Sequence, residues 1–135
     1  MTKIVVNKCF GGFGLSQRAC MKYAQLDGFK LYALKSTDFR KGTYIPANAA
    51  DDDLFVSYST KPLLKDGTIH DGGAYWSYRD IERTDPILVD IVEDMGEEAD
   101  RRFAQLHVVE IPDDVKYEID EYDGMESIHE VHRSW

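Results

Sequence analysis

The glycine-rich segment GGFG at residues 11–14 constrains this chain more than any other feature of its sequence. It lies between a predicted buried strand, Lys3–Phe10, and a predicted helix with Ser16 as its N-cap. Three glycines in four residues permit a tight turn and let backbone N–H groups approach a ligand. The N–H groups and partial positive charge of a helix N-terminus favour a bound anion. Because the spacing matches neither GxGxxG nor GxxxxGK[ST], a tight strand-to-helix turn remains an equal interpretation.

Length and charge limit the classes of protein to which the chain can belong. Its 135 residues predict a single domain, 1–135, with a sizeable core. Residues 1–84 carry 12 Lys and Arg against 9 Asp and Glu, whereas residues 85–135 carry 4 against 16. The acidic second part argues against binding to duplex nucleic acid, which requires neutralisation of phosphates. No apolar run is long enough to cross a membrane, so we expect no membrane partner. The N-terminal residues Met1–Val5 lead directly into a predicted strand, so we also expect no signal peptide.

The pattern of apolar residues predicts an α+β fold, with a small, mostly antiparallel sheet and two or three helices packed on it in a single domain. The helices are expected at Ser16–Leu26, from an Asp85-Pro86 start to Gly96, and at Met125–Arg133. Further strands are expected at Phe29–Lys35, Leu54–Ser59 and Phe103–Ile111, with a half-exposed strand around Val115, Tyr117 and Ile119. Residues 36–53 and 60–73 are predicted to be loops.

No catalytic constellation is visible in the sequence. Cys9 and Cys20 are expected to be reduced and buried, because the sequence shows no secretory context. Neither has a nearby histidine that would activate its thiol. The acidic pairs 113–114 and 120–121 offer oxygen ligands, but a turn and a solvated strand explain them as well, so no metal and no cofactor is predicted.

Aromatic and arginine side chains provide the ligand-binding candidates. Gly72-Gly73 is a flexible pair that leads into Tyr75 and Trp76, and such rings stack on nucleobases. Arginine binds phosphate in a bidentate manner, and Arg101-Arg102 is a basic pair in an acidic region, although pairing with glutamates explains it too. The full set of candidates is Phe10, Gly11, Gly12, Phe13, Gly14, Arg18, Tyr75, Trp76, Arg83, Thr84, Arg101 and Arg102.

Four segments carry a resemblance that spans nearly the whole chain: KIVVNKCFGGFGLS, RDIERTDPILVDIVEDMGEEA, VVEIPDDVKYEIDEYDG and HEVHRSW. The chain resembles a widespread family of small tailed-phage proteins, and this family is similar to the Thoeris anti-defence sponges of the first described type. The resemblance implies a phage protein in the cytoplasm of the infected bacterial host. It would sequester cyclic ADP-ribose isomers made by TIR-domain immune enzymes, and cyclic oligonucleotides in some members, without cleaving them.

The resemblance also implies a homo-oligomer that holds its ligand between protomers. We expect at least a dimer, because Met125, Ile128, Val131 and Trp135 would give a C-terminal helix an uncovered apolar face. At Thr84 the related sequences often have Asn, which puts a ligand contact from this residue in doubt. Two alternatives stay open: an acidic inhibitor that binds a host or defence protein as a DNA mimic, and a small phosphoesterase or transferase, which lacks a visible nucleophile–base pair.

Overall fold

The structure is a computed structural model that describes residues 1–38, 40–48, 51, 55–69 and 74–131. Gly72, Gly73 and Trp135, which entered the sequence predictions, lie outside the described residues. The helices and strands in chain order are β1 (Thr2–Asn7), α1 (Gln17–Asp27), β2 (Tyr32–Asp38), β3 (Thr43–Pro46), β4 (Val56–Ser59), β5 (Tyr75–Trp76), α2 (Pro86–Met95), β6 (Leu106–Ile111), β7 (Tyr117–Tyr122) and β8 (Met125–Glu130).

Every strand pairing in the described part of the chain is antiparallel. β1 pairs with β6, β7 pairs with β8, and a four-stranded sheet has the order β3-β2-β4-β5. Helices α1 and α2 pack on each other, and α2 also packs on β1 and β6. The predicted α+β class, with small antiparallel sheets and helices packed on them, is therefore confirmed.

The starts of both helices agree with the sequence prediction because each has a local cap. The Ser16 hydroxyl accepts a hydrogen bond from the Ala19 N–H at 3.1 Å. The Asp85 carboxylate accepts from the Ile87 N–H at 2.8 Å, and Pro86 takes the first helical position. Asp85 also accepts from the Tyr23 hydroxyl at 2.7 Å, so the second cap ties α2 to α1.

The predicted C-terminal helix at Met125–Arg133 is wrong, since Met125–Glu130 forms strand β8. Asp123 and Gly124 have φ values of 51° and 90°, which is the geometry of a tight hairpin turn between β7 and β8. Ile119 faces Ile128 across this hairpin. The helical spacing of Met125, Ile128 and Val131 suggested a helix. In so short a segment, however, pairing with a neighbouring strand outweighs such a pattern.

Smaller differences concern the bounds of strands. β2 lies three residues later than the expected Phe29–Lys35, and part of the expected loop at residues 36–53 forms β3, which pairs with β2. Neither cysteine forms a disulfide bond; Cys20 is buried as expected, whereas Cys9 follows the end of β1 and is only partly buried. No helix in the described ranges is long and apolar enough to cross a membrane.

Candidate functional site

The glycine-rich loop packs closely against the chain around Arg101–Phe103. A Cβ atom on Gly11 would overlap the carbonyl oxygen of Phe103, and one on Gly14 would lie 2.6 Å from Cδ of Arg101. Gly12 has a φ of 90° with open space around its Cα. Close packing therefore requires two of the loop's glycines, and the positive φ of Gly12 accounts for the third.

One side of this loop lines a cleft of about 330 Å³ that also contains three arginines. We call it the glycine–arginine cleft; its lining residues are Gly11, Gly12, Phe13, Arg79, Arg83, Arg101, Glu121 and Glu126. Within the described residues, the backbone N–H groups of Gly11 and Gly12 donate no hydrogen bond to the protein backbone. The guanidinium groups that line this cleft have the chemistry of an anion site.

A buried ion pair anchors the cleft. The Arg83 guanidinium donates to both oxygens of Glu126, at 2.6 and 2.8 Å, and its carbon lies 3.6 Å from the centre of the Phe13 ring. Glu126 also accepts from the Asn7 N–H at 2.8 Å, and its side chain is only 7% exposed. Because Glu126 neutralises Arg83, this arginine supplies shape and hydrogen-bond geometry but little net charge.

The other two arginines of the cleft carry its available positive charge. Arg79 is exposed and Arg101 is partly exposed, and within the part of the chain that the structure describes neither side chain forms an ion pair. The short 3₁₀ turn Tyr78–Asp80 positions Arg79, and the hydrogen bond from the Arg101 N–H to the Gly14 carbonyl positions Arg101. Two unpaired guanidinium groups beside one glycine loop are well suited to bind phosphate.

A second cleft, of about 300 Å³, adjoins the first and shares Arg79 and Arg101 with it. We call it the aromatic cleft; its lining residues are Val56, Ser57, Tyr58, Tyr75, Trp76, Ser77, Tyr78, Arg79 and Arg101. The Trp76 ring packs edge-on against Tyr58 at 5.7 Å, whereas Tyr75 is 63% exposed. The hydroxyl groups of Tyr75 and Tyr44 lie 3.3 Å apart, and this hydrogen bond, with partial burial, raises the pKa of Tyr75.

The structure therefore brings together seven of the residues that the sequence singled out. Gly11, Gly12, Phe13, Arg83 and Arg101 line the glycine–arginine cleft, and Tyr75 and Trp76 line the aromatic cleft. Sequence reasoning missed Arg79, Glu121 and Glu126 as site residues. Arg79 lies in the quoted RDIERTDP segment, but no local pattern in the sequence shows that these three side chains converge.

The remaining candidates do not line either cleft. Arg18 pairs with Glu98 at 3.4 Å, and the Arg102 guanidinium lies 4.8 Å from the Phe103 ring. Thr84 lines a separate cleft beside Asp85. Two further candidates border the loop: Phe10 is 59% exposed, and Gly14 lies beneath the Arg101 side chain.

The acidic pairs considered as metal ligands have other roles. Asp113 accepts from the Thr2 hydroxyl at 2.7 Å and from the N-terminal ammonium group at 3.2 Å, and these contacts lower its pKa. Asp120 lies 3.2 Å from the His129 ring, with which it forms an ion pair when the ring is protonated. Among the described side chains there is no group of three or more His, Cys, Asp or Glu that could hold a metal ion.

Asp100 fixes the start of the segment that carries Arg101. Its carboxylate accepts from the Leu106 N–H at 3.0 Å. Burial raises its pKa above the ordinary value of 3.8, with Glu97 acting in the same direction and His107 in the opposite one. The ionised carboxylate is therefore less favourable in the folded chain than in the unfolded chain, although its hydrogen bond offsets part of this cost.

Asp100→Asn is accordingly expected to raise the melting temperature at pH 7, because an amide oxygen can accept the same hydrogen bond without a buried charge. The pKa of Asp100 is higher in the folded chain than in the unfolded chain. Ionisation therefore destabilises the fold fully at pH values above the folded-state pKa, and this effect disappears at pH values below the unfolded-state pKa. The advantage of the variant should thus shrink as the pH falls towards 3.8. Thermal unfolding at several pH values measures this, with exposed Asp114→Asn as the matched control. A stability gain of Asp100→Asn that increases as the pH falls would contradict the conclusion that ionised Asp100 destabilises the fold.

No family model, curated protein or solved structure matches the chain. The candidate site therefore rests on its own geometry: two adjoining clefts, one with arginines and a glycine loop and one with aromatic rings, joined by Arg79 and Arg101.

Proposed function

We propose that this protein binds a nucleotide-derived signalling molecule and sequesters it without cleaving it. The observation that carries the proposal is that Arg79 and Arg101 line both clefts. A ligand held by these arginines could place a phosphate against the glycine loop and a base against Tyr75 or Trp76. Stacking on an aromatic side chain contributes roughly 1–3 kcal/mol per base.

Local charge is central to this proposal, because the chain carries a formal net charge of −9. An anionic ligand is repelled by the overall field unless nearby cations and oriented N–H groups outweigh it. The guanidinium groups of Arg79 and Arg101, neither of which forms an ion pair within the described residues, supply such cations at one place on the surface.

The resemblance to tailed-phage anti-defence proteins suggests the biological setting. In that setting the ligand is a cyclic ADP-ribose isomer or a cyclic oligonucleotide, and the protein acts in the cytoplasm of the infected bacterial host. Binding without turnover then suffices, because removing the messenger prevents it from reaching its receptor. A homo-oligomer remains a prediction, which light scattering can test. The argument from an uncovered apolar helix face no longer holds for Ile128, because this residue pairs with Ile119 within the hairpin.

Arg79→Ala and Arg101→Ala are each expected to weaken ligand binding about tenfold to a hundredfold, since a hydrogen bond to a charged group contributes roughly 1.5–3 kcal/mol. Calorimetric titration of the wild type with cyclic ADP-ribose isomers and cyclic dinucleotides identifies the ligand, and the same titration ranks the variants. Arg18→Ala is the matched control, because Arg18 is an exposed arginine paired with Glu98 outside both clefts.

Two results would contradict the proposal. If the folded protein binds no member of the nucleotide panel, the alternative of an acidic protein-binding inhibitor becomes the better interpretation. If heating a loaded sample releases a cleaved product rather than the intact ligand, as measured by chromatography, the protein is an enzyme and not a sponge.

A further inference from the structure

Glu121 is a carboxylate in a cleft that otherwise suits an anion. It lies on β7, directly opposite Glu126 on β8, and both side chains line the glycine–arginine cleft. Glu126 is fully engaged by Arg83 and the Asn7 N–H. The Glu121 side chain is exposed and, within the described residues, forms neither a hydrogen bond nor an ion pair.

This arrangement has an electrostatic cost. Like charges directly opposite each other on paired strands are unfavourable, although the pairing of Glu126 with Arg83 reduces this cost. A second carboxylate beside Arg79 and Arg101 also repels the phosphates that these arginines would attract. Glu121 favours a ligand only if that ligand carries a hydrogen-bond donor next to its phosphates.

Ribose hydroxyl groups are such donors. An ionised carboxylate can only accept hydrogen bonds. An ionised phosphodiester has no hydrogen-bond donor, whereas each sugar hydroxyl has one. Recognition of a ribose 2′-hydroxyl by an acidic side chain near a bound diphosphate is an established solution in dinucleotide sites. The same carboxylate disfavours a phosphate in place of that hydroxyl, because two negative charges would then meet.

We propose that Glu121 is a specificity-determining residue that accepts a hydrogen bond from a free ribose hydroxyl of the bound nucleotide. This inference rests on the proposed nucleotide-binding function of the same cleft and narrows its ligand class. The site takes ribonucleotides with a free sugar hydroxyl near the phosphates, and it discriminates against their deoxy and 2′-phosphorylated counterparts.

The test is titration of the wild type and Glu121→Ala with cyclic ADP-ribose and with cyclic di-AMP, each beside its 2′-deoxy analogue, and with inorganic pyrophosphate. We expect the wild type to prefer a ribose form about tenfold over its deoxy analogue. In Glu121→Ala this preference should disappear, while pyrophosphate should bind several-fold more tightly because a repulsive charge is gone. Glu118→Ala is the matched control, since Glu118 lies on the same strand but on the opposite face of the hairpin.

Loss of the ribose preference together with tighter binding of pyrophosphate distinguishes this role from a merely structural one. A structural role would weaken the binding of nucleotide and pyrophosphate alike. Equal binding of ribose and deoxy forms to the wild type would overturn the role of Glu121 and leave the nucleotide site intact. If neither the cyclic nucleotides nor pyrophosphate binds the folded wild type, the proposed function itself fails, and the inference fails with it.

Discussion

Replacing Glu126 by alanine is expected to lower the free energy of unfolding by about 3–5 kcal/mol, the usual cost of removing one partner from a buried ion pair. The Arg83 side chain is only 24% exposed and would lose both carboxylate contacts. The Asn7 N–H would lose its acceptor at the same time. Equilibrium denaturation in urea measures the effect.

Glu118→Ala provides the control for this experiment, since it removes an exposed glutamate from the same hairpin. That substitution should change stability by less than about 0.5 kcal/mol, as is usual on a protein surface. A loss of under 1 kcal/mol for Glu126→Ala would show that the ion pair does not hold β8 against β1, and the floor of the glycine–arginine cleft would need another explanation.

Gly11→Ala is expected to cost about 3 kcal/mol, at the upper end of the range for overpacking, because the new methyl group would overlap the backbone of Phe103. A backbone carbonyl cannot rotate away as a flexible side chain can. The Phe103 carbonyl is also held by the Cys9 thiol, with 2.9 Å between Sγ and O, so the loop and the 101–103 segment would have to separate. Thermal or urea unfolding measures the loss.

Gly12→Ala is the matched comparison, because its Cα has open space but a φ of 90°. We expect a cost of about 1–2 kcal/mol from the left-handed backbone alone. If Gly12→Ala proved the more destabilising of the two, close packing of the loop against Phe103 would not be what requires glycine at residue 11.

The locally encoded parts of the fold were predictable from the sequence. Ser16 and Asp85 cap their helices with their own side chains, as the sequence predicted. Each cap acts within a few residues of the chain, so no knowledge of distant contacts is needed to recognise it. The sequence identified the GGFG loop, Arg83 and Arg101 as candidate site residues, but it did not predict that they lie together in one cleft.

The sequence by itself determined the class of the fold, the starts of both helices and the glycine loop that a binding site could use. Tertiary structure alone decided that Met125–Glu130 is a strand, that Arg79 joins Arg101 at the junction of two clefts, and that Glu126 neutralises Arg83. The reason is physical: caps depend on their immediate neighbours in the chain, whereas the state of β8 depends on pairing with another strand, and the arginine contacts depend on partners far away in sequence. A local pattern cannot identify such partners.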